Sequence, residues 1–448
     1  MKIFIQIVVV LLTLSQAPII HAKNFYIDPI KGNIAGDGSA NNPWKTLEEV
    51  INSRLIETKD VLGTFVNQGA PIKAGDTIVL KSGYHGFIQI KNAFNDNYIT
   101  VTPAYNEKPI ISGLDIISAK NWKFSRLTIS PVFSAIGIKS NSIVTIGENN
   151  YLGDTSNIYL TDSSIYSFSE APETLTSADW IAKAKTAVTM GRNAKNLYVI
   201  NNYINNVSFG INMISPYSRI QNNVITDFCM DGIRAVANNI VVEDNVIKNN
   251  YVIDANHPDG IQGFSFNPQM NLANVSVIGN IVLNRDKKIK LVAGNLLVNS
   301  YSETMQGIGF FDGPVTNVQI KNNIVMSFTW QGIGLYDSIN GQIVNNTVYT
   351  PAQITNAIAK VTLGSKITNG NINNTIANNV ANEYNFQNSI GLMSFVNTKI
   401  IAGNDKLFMA GLITRLSEIN SKSGKYHPVV NKPRVDDNFI SIGIASIF

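Results

Sequence analysis

One cysteine, Cys229, stands in 448 residues. An intramolecular disulfide is therefore excluded, and the thiol is expected to pack as a small apolar group. Charge is sparse, at 15% of residues, and 35 basic against 31 acidic side chains leave a net +4. No basic run with interleaved aromatics occurs, so no nucleic-acid partner is expected. Beyond residue 22 no apolar run is long enough to span a bilayer. Histidine is scarce, with four in the chain. Residues 1–22 have the layout of a secretory leader: Lys2, an apolar run from Ile7 to Leu14, and Ala22 as a cleavage residue. The expectation is a secreted or periplasmic protein, a monomer with no membrane anchor.

What is abundant is repetition. Two near-copies of one tetrapeptide are DGIR at 231–234 and DGIQ at 259–262. QGIG follows at 306–309 and again at 331–334, with weaker relatives FGIN at 209–212 and TAVT at 186–189. A second repeat runs in phase with it, an apolar stretch around Asn-Asn. It reads LYVINNYI (197–204), RIQNNVI (219–225), VVEDNVI (241–247), VSVIGNIV (275–282), VQIKNNIV (318–325), QIVNNTV (342–348) and TIANNV (375–380). Taking the second Asn, the spacings are 21 from 202 to 223, 22 from 223 to 245, and 23 from 323 to 346. A unit of this length holds three short strands and three turns, one coil of a solenoid. Stacked coils bring equal turn positions one strand spacing apart, about 4.8 Å. Asn tolerates the left-handed backbone of such turns, and its amide can bond the Asn above and below. The spacing predicts an all-β chain, a right-handed parallel β-helix.

The sequence divides accordingly. Residues 23–73 hold a strand, a Gly/Asn/Asp-rich loop, a Pro-Trp and a short amphipathic helix. That helix can cover the open end of a solenoid, whose unpaired edges invite aggregation. Residues 74–382 form the β-helix, beginning at AGDTIVLKSGYHG (74–86). A stretch at 166–186 interrupts it with a helix-like run from Ala178 to Lys185; it is read as a loop, one wall of a groove. The spacing from Asn280 to Asn295 is too short for a coil, and the RDKKIK stretch (285–290) lies inside it. The repeat fades after 382, so 383–448 is read as a tail and cap, helical over 407–419.

In a solenoid, residues of equal phase stack in columns. Alignment on Gly-Ile puts Asn212, Arg234 and Gln262 in one column. Phe209, Asp231, Asp259, Gln306 and Gln331 share a second, and Asp312 and Asp337 a third. Strand alternation turns the Ile inward and the next residue outward. Asp231, Arg234, Asp259 and Gln262 should therefore crowd one outer face within two coils. DANHPDG (254–260) runs into this cluster with Asp254, His257 and Asp259. Histidine titrates near neutrality and suits proton transfer. Two stacked aspartates repel unless a cation neutralises one, and Arg234 is close enough to do so. The plain alternative is a polar turn whose charges satisfy one another.

Residues 24–50 resemble the opening of secreted bacterial β-helix proteins of the pectate-lyase-like superfamily. HPDGIQ (257–262) followed by MQGIGFFDG (305–313) resembles the polysaccharide-active members, distantly the alginate C5-epimerases and related lyases. Their signature is Asp-Pro-His-Asp; this chain has Asp254-Ala-Asn-His257-Pro-Asp259, so residue types and position match and the motif order does not. The resemblance implies His257 as the group that takes the C5 proton of a uronate. It implies Arg234 as the neutraliser of the carboxylate, with Arg285 as competitor, and Asp259 in support, beside Asp231. Tyr251 or a water would return a proton. Gln262, Asn212, Gln306, Asp312, Phe264 and Tyr251 are the expected substrate contacts. Calcium held by Asp231, Asp254 or Asp259 could neutralise in place of arginine.

The implied activity is a lyase on an acidic, uronate-containing polysaccharide, or a C5-epimerase if the proton returns on the other face. A glycoside hydrolase is a second class, with Asp231 and Asp259 near the ~5 Å of a retaining pair. A non-catalytic carbohydrate-binding protein is a third, with Phe264, Phe266, Phe310, Phe311, Trp330 and Tyr336 as its platform.

Overall fold

The computed structural model describes residues 22–254, 256–265, 271–285, 305–351, 357–368, 370–387 and 389–400, together with 412, 414, 415 and 418. Nearly all strands lie parallel, each paired with the equivalent strand one coil away. Arg219–Gln221 pairs with Val241–Glu243, which pairs with Ser276–Ile278. Ile211–Met213 pairs with Ile233–Ala235, which pairs with Asp259–Phe264. Val224–Phe228 pairs with Val246–Asn250. These are three faces of one β-helix. The first two merge at the N-terminal end, where the long strand Gly113–Ser125 pairs with both Ser142–Gly147 and Thr155–Thr161. Strands 197–204 and 219–225 thus stack as the spacing requires.

The Asn-Asn pair turns out to split two tasks between its members. The first residue takes the left-handed backbone: φ is 62° at Asn201, 54° at Asn222, 57° at Asn322 and 59° at Asn345. The second builds a buried ladder through Asn202, Asn223, Asn245, Asn280, Asn323, Asn346, Asn379 and Asn397. Each backbone N–H donates to the carbonyl oxygen of the next side chain at 2.8–3.1 Å. The side-chain amides repeat the same link. Between Asn202 and Asn379 two rungs depart from Asn at the left-handed position, Asp244 and Gly279. There Arg415 reaches in, donating to the Gly279 carbonyl at 2.8 and 2.9 Å and to the Asp244 carboxylate. A Cβ on Gly279 would collide with its guanidinium. Most of the helical reading of 407–419 lies outside the described residues, as does Asn295; the ladder passes from Asn280 to Asn323.

Repeated glycines have a different cause. A Cβ on Gly210 or Gly307 would stand 2.3 or 2.0 Å from the Gly232 or Gly332 carbonyl oxygen of the next coil. Stacked backbones approach too closely at this point for any side chain.

Thr46 caps the N-terminal helix Leu47–Asn52, which buries Leu47 and Val50 with Phe25, Ile27 and Trp44. The interrupting stretch holds the helix Ser177–Lys183, opened by a reciprocal Thr176/Asp179 cap. Strands continue past 382: Glu383–Phe386 and Met393–Phe395 add to the sheets. The repeat is hard to see there because Val396, not Asn, takes the left-handed position, with φ 51°.

Candidate functional site

The outer face of Ile233–Ala235 and Asp259–Phe264 gathers the polar cluster. The inward side chains Ile211, Ile233, Ile261, Ile308 and Ile333 are buried. The next residue in each strand turns out, and Asn212, Arg234 and Gln262 stand in register across three coils. Asp259 stands in register with Gln306. The Asp259 N–H donates to Asp231 Oδ1 at 2.9 Å. The Asn212–Arg234–Gln262 column, and the neighbours Asp231, Asp259 and Gln306 of the second, are therefore stacked in the molecule.

Asp231 is 5% exposed, and both its oxygens are taken. Oδ2 accepts from Arg234 Nε at 2.5 Å; Oδ1 accepts from the Asp259 backbone. Arg234 is flanked by two rings, its guanidinium carbon 4.4 Å from the Phe209 centroid and 5.8 Å from that of Phe264. Ion pair and rings hold the guanidinium from its Nε side. Among the described residues neither Nη donates a hydrogen bond, and the side chain is 32% exposed. Phe209 was legible as a member of the Asp231 column, but nothing in the sequence assigned it this stacking.

Asp259 is fully buried. Gln262 Nε2 donates to its Oδ2 at 2.9 Å. Burial, and then the Asp231 charge, hold the Asp259 carboxyl well above the ordinary carboxylate range; Arg234 opposes and Asp312 adds a little. Burial thus favours the protonated form of this acid beside an ion-paired neighbour. This has a sign. The folded state holds a proton that the unfolded chain releases near pH 4, so stability falls as pH rises from there through the raised value. Asp259→Asn keeps the shape and cannot ionise. Its thermal midpoint is expected to stay level across that window and to exceed the wild-type value at pH 7. Identical pH profiles for the two proteins would refute the neutral acid.

Other expected contacts fall elsewhere. Tyr251 is fully buried, 5.1 Å from the Trp180 ring, in a small core with Phe168, Leu175, Cys229 and Ile253. It does not face the outer groove. The interrupting stretch supplies Trp180, so this stretch packs beneath the loop that carries His257. Burial also pushes the Cys229 thiol up. Arg285 lies over the Tyr251 ring at 5.3 Å, which removes it from competition with Arg234. His257 is exposed, in the turn two residues before Asp259. Asp312 is exposed and paired with Lys366 Nζ at 2.8 Å. Phe310 belongs to the core and not to a platform, while Phe264, Phe311 and Tyr336 are half-buried on the outside and Trp330 is exposed. Phe266 and Lys287 to Lys290 lie outside the described residues.

The expected calcium trio is spread between the surface and the wall. Asp254 sits exposed, its carboxylate accepting from Asn256 at 2.9 Å, while each Asp231 oxygen accepts one hydrogen bond. Among the described residues no three His, Cys, Asp or Glu side chains gather to hold a metal ion. Nor are Asp231 and Asp259 placed as a nucleophile and acid, being buried and bonded within the wall. A cavity of about 670 Å³ opens at the N-terminal end, lined in part by Glu48, Arg54, Gln89 and Trp122. It contains none of the column residues, and chemistry rather than size singles out the site.

Residues 134–302 match the family model described as "Right handed beta helix region". The chain is a right-handed parallel β-helix protein. No curated protein matches the sequence. Solved structures similar to this β-helix include the A-module of mannuronan C-5 epimerase AlgE6 from Azotobacter vinelandii, at 11% identity, with 72% of this chain and 91% of that one covered and a TM-score of 0.42. A rhamnogalacturonan lyase is similar at 10% identity, covering 73% and 82%, with a TM-score of 0.41. The GH136 lacto-N-biosidase of Eubacterium ramulus is similar at 13% identity, covering 82% and 68%, with a TM-score of 0.46. At such identities the likeness is one of shape and carries no chemistry to this β-helix.

Proposed function

We propose that this β-helix protein is a secreted, polysaccharide-active enzyme whose substrate is an acidic, uronate-containing chain, and that it takes the C5 proton of the uronate. The observation that carries this reading is the state of Arg234. Asp231 holds it through Nε, and Phe209 and Phe264 flank it, which leaves the two Nη groups as a fork directed away from the ion pair. A guanidinium fork matches a carboxylate with two parallel hydrogen bonds. Neutralising the uronate carboxylate lowers the cost of negative charge developing at C5.

His257 is the base in this reading, carried on the exposed turn that enters the same strand. A proton leaves C5 for the imidazole, and the electron pair moves toward C4. Expulsion of the C4 oxygen substituent completes a β-elimination and makes the enzyme a lyase. Return of a proton to the opposite face would make it an epimerase. The leader-like stretch at 1–22 supports secretion, where such polymers occur. The reading takes no metal ion.

The test is incubation with a panel of polyuronates while following absorbance from unsaturated ends. A rise that His257→Ala removes is expected. New reducing ends without absorbance would overturn the reading in favour of a hydrolase. Proton exchange from solvent without cleavage would identify the epimerase.

A further inference from the structure

The outer face around Arg234 is lopsided. On its C-terminal side three successive coils each set one aromatic ring outward: Phe264, Phe311 and Tyr336, all half-buried. Gln262, the neighbour of Arg234, stands in register with Gly309, and Gly309 with Gly334. A Cβ on Gly309 would stand 1.9 Å from one edge of the Phe311 ring, and a Cβ on Gly334 2.4 Å from the other. The ring thus reaches back along its own strand and lies across two coils. One of its faces rests on the glycines, and the other is turned to the groove. Tyr336 covers Gly364 and meets Phe311 edge to face at 5.6 Å.

The N-terminal side is built differently. There the register of Asn212 runs on through Thr189, Thr145 and Asp115. The strands Thr186–Met190 and Ser142–Gly147 contain no aromatic residue. The Thr189 and Ser142 hydroxyls are hydrogen-bonded to each other at 2.7 Å, so they are already engaged. Asp115 adds a half-buried carboxyl, a group that an acidic chain gains nothing by approaching.

Resting on the uronate reading of Arg234, we infer that the bound chain runs from Arg234 toward the C-terminal end of the β-helix, with Phe311 as the stacking subsite for a further sugar and Tyr336 at its edge. An aromatic face laid along the floor of a groove matches the C–H face of a pyranose, whatever charge that sugar carries. Gly309 lies two coils and Gly334 three coils beyond Arg234, which sets the ring about 10–14 Å away along the axis. That is past the second sugar of a chain that starts at Arg234, so only longer chains use both places. The glycines belong to the subsite, because a side chain at either would lift the ring off the sheet and into the path of the chain.

The experiment is calorimetric titration of full-chain His257→Ala protein with saturated dimers and hexamers of galacturonate, mannuronate and glucuronate. The hexamer that binds is expected to bind more tightly than its dimer. Phe311→Ala should weaken that hexamer about tenfold and leave the dimer within about twofold. Phe311→Tyr should retain the hexamer's affinity. Gly334→Ala, which displaces the ring without removing it, should lose part. Thr189→Val, on the other side of Arg234, should change neither affinity. Equal losses for dimer and hexamer in Phe311→Ala, no loss for either, or a hexamer loss in Thr189→Val instead, would overturn the direction of the chain; the uronate reading would stand as long as Arg234→Ala weakens both. Binding of no probe, or binding indifferent to Arg234→Ala, would overturn both inferences.

Discussion

Arg234→Ala is expected to lower kcat/KM on a uronate polymer by about 10²–10³, the typical loss when one preorganised charge-stabilising group is removed. Both parameters should suffer. The fork contributes to binding the ground-state carboxylate, so KM rises, and it meets the growing charge at C5, so kcat falls. Arg234→Lys should recover only part, because an ammonium keeps the charge and loses the fork and the stacking on Phe209. Stability should drop as well, since Asp231 would be left 5% exposed without its ion-pair partner. Steady-state kinetics at fixed ionic strength, beside thermal unfolding, separate the two effects. An Arg234→Ala enzyme with unchanged kcat and KM would remove the carboxylate from the proposed mechanism.

Asn280→Ala should cost about 4 kcal/mol of stability, far more than an average substitution. The Asn280 carbonyl oxygen accepts from both nitrogens of Asn245, backbone and amide. Its own amide donates to the Val242 and Ile278 carbonyls and to Asn323. Truncation strands several buried groups at once, at about 1–3 kcal/mol each before relaxation. Asn280→Asp should be nearly as damaging at neutral pH, because it keeps the acceptor and sets an anion against three carbonyl oxygens. Asn274 is the internal control. It stands in a second, exposed ladder, donating to Asn239 and accepting from Asn317, where water replaces lost bonds. Asn274→Ala should therefore cost under about 1 kcal/mol. Urea denaturation of the three variants decides this; comparable losses at 274 and 280 would refute the buried ladder as the main support.

The fold was legible because stacking converts sequence period directly into spatial neighbours. Asp231 beside Asp259, and Arg234 beside Gln262, followed from phase alone. What phase could not supply was anything that breaks it. The register shift between Gly263 and Phe264, which sets Phe264 opposite Asp312, has no mark in the repeat. Tyr251 turns inward because Trp180, distant in sequence, makes a separate core for it. The coil after 382 escaped notice because Val396 occupies a position that Asn marks elsewhere. Phe209 was in the right column, but a stacking partner for a guanidinium has no signature of its own.

The buried asparagine ladder is indifferent to how much chain lies between its rungs. Successive rungs are separated by 21, 22, 35, 43, 23, 33 and 18 residues, yet they make the same pair of bonds. Each rung thus closes a coil whatever length of chain lies between it and the next. Segments between rungs can differ in length without retuning the core. The architecture separates the stretches that can vary in length from the part of the sequence that must stay constant for folding, so a segment can be added between two asparagines without breaking the column of bonds.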